Sequence, residues 1–94
     1  TGTEGNLSAL SDLTNLTELN LRDNGYISDI SGLSTLSRLI YLNLDSNIIK
    51  DISALSNLTT LQELTLENNQ IEDISALSDL DNLNKLAQSK NKII

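Results

Sequence analysis

The chain has 94 residues, enough for one domain, and a net charge of −7 with no His, Cys, Phe, Trp, Met or Pro. The lack of His and Cys excludes Ser–His and Cys–His nucleophiles and the common zinc ligands. An acidic surface disfavours nucleic acid, and no apolar run reaches the roughly 18 residues of a membrane span. We therefore predict no enzymatic activity, no cofactor, no metal, no nucleic-acid partner and no membrane insertion.

The chain opens with Thr1–Asn6, a segment too short and too polar to form a cap over an apolar core. It begins at Thr rather than Met, so we interpret it as a fragment of a longer protein that lacks dedicated caps.

Residues 7–29 contain the first of four similar phrases. Ser8 is placed to cap a short helical or 3₁₀ turn, and the small residue Ala9 lets neighbouring turns pack closely. Leu19 and Leu21 then alternate as in a strand with one face inward. Asn24 ends the strand, and its amide can bond backbone groups that the tight turn leaves unpaired.

The phrase recurs in residues 30–51, 52–73 and 74–94. Its terminal asparagines, 23, 22 and 22 residues apart, form a predicted structural ladder of Asn24, Asn47, Asn69 and Asn91. The first interval holds one extra residue, next to Gly25. Gln88 replaces the second inward Leu of the last strand, which predicts that this repeat lies at the solvated end of the stack.

This period and register are those of leucine-rich repeats. We predict a single domain over residues 1–94, an α/β solenoid built as a right-handed stack. Short parallel strands around residues 18–22, 41–45, 63–67 and 85–89 form the concave face, and 3₁₀ or short helical turns form the convex face.

Residues 13–21 and 69–77 resemble the 22-residue class of internalin-like bacterial surface proteins. The resemblance implies adhesion or recognition of another protein through the concave sheet, at the cell surface or outside the cell. Two alternatives stay open. One is an intracellular, cytoplasmic regulatory scaffold like the leucine-rich-repeat regulators of protein phosphatases. The other is a structural unit that self-associates end to end through its uncapped ends.

The candidate partner-binding residues are the outward strand positions, which vary while the inward positions do not. Tyr41 is the foremost candidate because aromatic residues with a hydroxyl are enriched in binding hot spots, although an exposed Tyr also suits a strand. The full set is Glu18, Asn20, Arg22, Tyr41, Asn43, Asp45, Glu63, Thr65, Glu67 and Lys85.

Two further features allow more than one interpretation. Tyr26 either makes a contact at the rim of the sheet or covers its own turn. Asp29, Asp51 and Asp73 recur once per repeat, and they either bond their turns or collect a hard cation such as calcium.

Overall fold

The computed structural model describes residues 7–93, and these form a single stack of repeats. Four parallel strands lie side by side in chain order: β1 (Glu18–Asn20), β2 (Tyr41–Asn43), β3 (Glu63–Thr65) and β4 (Lys85–Ala87). A 3₁₀ turn precedes each strand, at Ser8–Leu10, Ser31–Leu33, Ser53–Leu55 and Ser75–Leu77. The predicted leucine-rich-repeat solenoid is confirmed. Thr1–Asn6 and the expected lack of a cap there lie outside the described residues.

The strands are three residues long, shorter than the five predicted, because the backbone turns away sooner. The Oδ1 atoms of Asn20 and Asn43 accept the N–H groups of Arg22 and Asp45, both at 3.0 Å, so these donors turn to a local side chain. The next residue in each repeat then takes a left-handed conformation with φ near +60°, at Asp23, Ser46, Asn68 and Lys90.

The core is a stack of aliphatic layers that is complete only in the middle. Leu42 and Leu64, at the centres of β2 and β3, are fully buried, whereas Leu86 in β4 is 37% exposed. Gln88 occupies the inward position as predicted, and its Oε1 is buried without a partner among the described residues. The exposure of Leu86 places repeat four at an open end of the described stack, whereas the unpartnered Gln88 Oε1 still carries a desolvation cost.

The serines do not cap the 3₁₀ turns, so that prediction is wrong. Each turn starts after an Ile or Leu that makes no side-chain cap bond. In the last three repeats, the side-chain bond at the start of the turn is made by an Asp that lies two residues before the Ser. The Oδ1 atoms of Asp29, Asp51 and Asp73 accept the backbone N–H groups of the serines at 2.9, 2.9 and 2.8 Å. A carboxylate reaches this donor because it sits one residue before the cap position.

Close packing between adjacent turns is most stringent at Gly32. A Cβ built on this glycine would lie 2.5 Å from the carbonyl oxygen of Leu7 in the preceding turn. The neighbouring atom belongs to backbone and cannot swing aside. Only glycine fits at this position, although the other repeats carry Ala there. Within residues 7–93, no helix is long and apolar enough to cross a membrane.

Candidate functional site

The outward side chains of the sheet form one continuous surface, which we call the strand face. Its residues fall in three columns that run across the strands. The sheet register aligns the first two columns, and backbone hydrogen bonds between repeats extend the alignment to the third. The columns are Glu18, Tyr41, Glu63 and Lys85; then Asn20, Asn43, Thr65 and Ala87; then Arg22, Asp45, Glu67 and Ser89.

Tyr41 lies between two carboxylates in the first column. Glu18 on β1 and Glu63 on β3 are its register partners, so each Cα is about 5 Å from that of Tyr41. The Tyr41 side chain is half-buried, and its hydroxyl accepts a 3.1 Å hydrogen bond from Nδ2 of Asn43. The ring is therefore held in place by the sheet rather than free in solvent.

The second column supports the strand face more than it offers contact area. Asn43 is only 7% exposed, with its Oδ1 bonded to a backbone N–H and its Nδ2 to Tyr41. Asn20, at the first strand, is exposed and makes the same backbone bond. Thr65 and Ala87 are small and half-buried, and the Thr65 Oγ1 has no partner among residues 7–93. Asn43, Thr65 and Ala87 therefore offer little exposed surface to a partner.

The third column is a chain of polar contacts across the repeats. Oδ1 of Asp45 accepts the backbone N–H of Glu67 at 2.8 Å, and its Oδ2 lies 3.8 Å from the Arg22 guanidinium. Ser89 Oγ donates to Oε2 of Glu67 at 2.9 Å. Arg22 also pairs with Asp23 at 3.3 Å. Asp45 is 7% exposed, so we assign it, like Asn43, a supporting position within the proposed surface.

The asparagine ladder holds the end of each strand, as its structural interpretation predicts. Nδ2 of Asn69 donates to the carbonyls of Leu66 and Leu44, at 3.1 and 2.9 Å, and so joins two repeats. Asn47 makes the equivalent bonds to Leu44 and Leu21, both at 3.1 Å. Asn91 repeats this pattern, and Asn24 bonds within its own repeat. Satisfied carbonyls fix the edge of the strand face.

The ladder is broken at one atom. Oδ1 of Asn69 accepts the N–H of Ile49, and Oδ1 of Asn91 accepts that of Ile71. The buried Oδ1 of Asn47 has no partner among the described residues. Its junction is the one that contains the extra residue at Gly25, where φ is +74°. We attribute the missing bond to this insertion, which displaces the donor that the regular repeats provide.

The Asp ladder serves its own turns. The bond from a backbone N–H lowers the pKa of the carboxyl groups of Asp29, Asp51 and Asp73, and a bond from the same serine's side chain lowers each further. Desolvation opposes these shifts, and for Asp51 so does the charge of Asp29. Among residues 7–93 no group of three or more acidic side chains is placed to hold a metal ion. The arrangement favours turn bonding over cation binding.

Tyr26 faces the apolar side of the first repeat. With Leu7, Leu10 and Leu21 it lines a cavity of about 180 Å³. It is 41% exposed. Tyr26 thus borders the apolar residues of the first repeat.

Sequence comparison places the chain among known repeats. The family model described as "Leucine Rich repeats (2 copies)" matches residues 14–57 and 37–82. Over 47 residues, half of this chain, the sequence is 87% identical to Internalin I of Listeria monocytogenes serovar 1/2a. The matched segment is 3% of that relative's length.

Solved structures give the same result. An internalin, inlF, of Listeria monocytogenes has a TM-score of 0.91 and 41% identity over 93% of this chain and 26% of its own length. Internalin C2 of that species has a TM-score of 0.92 and 40% identity, and the match covers 97% of this chain and 40% of internalin C2. The leucine-rich-repeat ectodomain of the receptor kinase SOBIR1 from Arabidopsis thaliana shares the fold, with a TM-score of 0.64 and 23% sequence identity.

Proposed function

Because this chain belongs to the leucine-rich-repeat family and is internalin-like within it, we propose that it is a non-enzymatic protein-binding module for adhesion or recognition. The proposed partner-binding surface is the strand face. The location we propose is the bacterial cell surface or the extracellular space, as for the internalins that it resembles. The chain spans less than half the length of these relatives, so their own partners are not transferred to it.

The observation that carries the proposal is the residue diversity of the strand face on an otherwise repetitive scaffold. Inward positions are Leu in every repeat but the last, whereas the first column changes from Glu18 to Tyr41 to Glu63 to Lys85. Folding does not require an acid, an aromatic residue and a base at equivalent positions. A solenoid presents such a surface to protein partners.

A panel of purified extracellular domains tests the proposal. Each domain that binds the immobilised wild-type chain is measured again with Tyr41→Ala and with Thr59→Ala. Thr59 is an exposed residue outside the strand face, and so it is the matched control. We expect Tyr41→Ala to weaken binding by about 1–2 kcal/mol, as loss of an aromatic hot spot does, and Thr59→Ala to change it little. Equal affinity of both variants for a confirmed partner would contradict a strand-face site.

A further inference from the structure

We propose that Tyr41, Glu18 and Glu63 form a receiving site for one lysine or arginine side chain of the partner. The inference rests on the proposed function, since it names the chemistry that the strand face recognises. We call these three residues the cation site.

The geometry of the cation site comes from the sheet register. Glu18, Tyr41 and Glu63 occupy the same position on three adjacent strands, so the two glutamate Cα atoms are about 10 Å apart with the aromatic ring between them. The ring and both carboxylates belong to outward positions of the same sheet, so a cation that contacts the ring has a glutamate on a neighbouring strand. An aromatic face attracts a cation through its quadrupole, and the neighbouring carboxylates add direct charge attraction.

The carboxylates of the cation site are free to take this role. Within the part of the chain that the structure describes, the ion pairs both involve Arg22, with Asp23 and Asp45. Glu18 and Glu63 pair with no basic residue there. Lys85 follows Glu63 in the same column yet does not approach it within ion-pair distance.

The ring is also presented in a fixed position. Asn43 Nδ2 holds the Tyr41 hydroxyl at 3.1 Å, and Asn43 is itself fixed by its bond from the Asp45 N–H. A ring that is already ordered loses little side-chain entropy on binding, which favours recognition of a single side chain. The overall charge of −7 steers a basic segment toward this surface.

The chemistry also separates this site from the other acidic groups. The carboxylates of Asp29, Asp51 and Asp73 accept hydrogen bonds from their own turns. On the strand face, Asp45 and Glu67 accept hydrogen bonds from within the third column. The cation site alone on this face combines an aromatic ring with carboxylates that bond no described side chain.

The test titrates the isotopically labelled chain with N-acetyl-arginine amide and, separately, with N-acetyl-citrulline amide. Citrulline keeps the shape of arginine and lacks its charge. We expect saturable changes in the NMR signals of Tyr41, Glu18 and Glu63, with citrulline amide binding about fivefold more weakly, as expected for loss of a cation beside an aromatic ring. Equal binding of the two amides, or arginine-induced changes spread over the acidic surface, would overturn the inference.

Two variants control for charge and folding. Glu18→Gln/Glu63→Gln removes two charges from the cation site, and Asp79→Asn/Asp81→Asn removes two from exposed positions between the last 3₁₀ turn and β4. The first pair should abolish the preference for arginine amide, and the second should retain it. Loss of the preference in both pairs would reduce the effect to net charge and refute the site.

The result is separable from the proposed function. A partner that binds the strand face through a neutral segment, with no lysine or arginine at Tyr41, overturns the cation site and leaves the protein-binding module intact. A chain that binds arginine amide at Tyr41 but engages its protein partner elsewhere contradicts the strand face as the partner-binding surface, and with it the assignment of the cation site to that partner.

Discussion

Oδ1 of Asn69 accepts a 3.1 Å hydrogen bond from the backbone N–H of Ile49, twenty residues earlier in the chain. The same side chain donates to carbonyls of its own repeat and of the preceding one. One amide therefore satisfies buried backbone groups of two repeats at once. Asn47 has the donor half of this arrangement without the acceptor half.

The first prediction follows from this difference. Replacing Asn69 by Ala should lower the free energy of unfolding by about 1–3 kcal/mol, because buried carbonyls and an N–H lose their partner. Replacing Asn47 by Ala should cost less, by about 1 kcal/mol, because its Oδ1 makes no bond to lose. Urea unfolding of both variants measures the two values. An equal or larger loss at Asn47 would contradict the account of the broken ladder.

The second prediction concerns Gly32. Gly32→Ala should destabilise the domain by about 1–3 kcal/mol, because the new methyl group meets the backbone of Leu7 at 2.5 Å and forces the two turns apart. Ala54→Gly, at the corresponding place in the next repeat, should cost only the 0.5–1 kcal/mol or so of added backbone entropy. Thermal unfolding compares the pair, and a stability for Gly32→Ala at or above that of wild type would rule out the contact.

The third prediction is a pH dependence. Hydrogen bonds lower the pKa values of Asp29, Asp51 and Asp73 in the folded chain. Groups with depressed folded pKa values stabilise the fold above their unfolded pKa, roughly pH 4, and this contribution is lost as the pH falls through the folded values. The melting temperature should therefore drop as the pH falls below about 4.

Substitution by Asn identifies the groups responsible for that drop. The variant with Asn at all three of these positions keeps a side-chain oxygen for the turn but does not titrate, so its melting temperature should fall less steeply with acid. Asp79→Asn removes a single charge outside the ladder and should keep most of the wild-type slope. Parallel acid profiles for wild type and the triple variant would show that the ladder does not contribute.

The fourth prediction concerns left-handed backbone. Lys90 has φ of +60°, a conformation that costs most residues roughly 1–2 kcal/mol and that Asn tolerates better. Lys90→Asn should therefore stabilise the domain by about 0.5–1 kcal/mol. Lys92→Asn removes the same charge from a residue without this conformation and should leave stability nearly unchanged. The measurement is chemical denaturation at constant salt, and equal effects of both substitutions would assign the change to charge.

The repeat period predicts the fold and the strand face because both follow from side-chain spacing. Strand register needs only the count between Asn47 and Asn69, and the inward leucines need only alternation. The repeated phrase predicts a cap by Ser31, the equivalent of Ser8, whereas Asp29 makes the bond. Both residue types cap turns, and their spacing from the turn does not decide between them. The recurrent Asp two residues before that Ser was the available signal.

Other features depend on distances between repeats, which a period does not contain. Gly32 looks interchangeable with the alanines of the other repeats until its contact with Leu7 is known. The left-handed position carries Asp23 and Asn68, which tolerate this conformation. It also carries Ser46 and Lys90, which do not indicate it from the sequence. Burial of Asn43 and Asp45 likewise arises from neighbouring strands, so outward strand positions alone overestimate the exposed surface.

We expect the insertion at Gly25 to weaken the strand-end bonding between the first two repeats. A solenoid is coupled only between adjacent repeats, so no distant contact can replace a bond lost at one junction. The first junction lacks the acceptor bond that Asn69 and Asn91 supply at the other two. We expect the amide protons in the hydrogen bonds between β1 and β2 to exchange with solvent faster than those in the hydrogen bonds between β3 and β4. In that case the last three repeats unfold together, and the strand end of the first repeat opens before them.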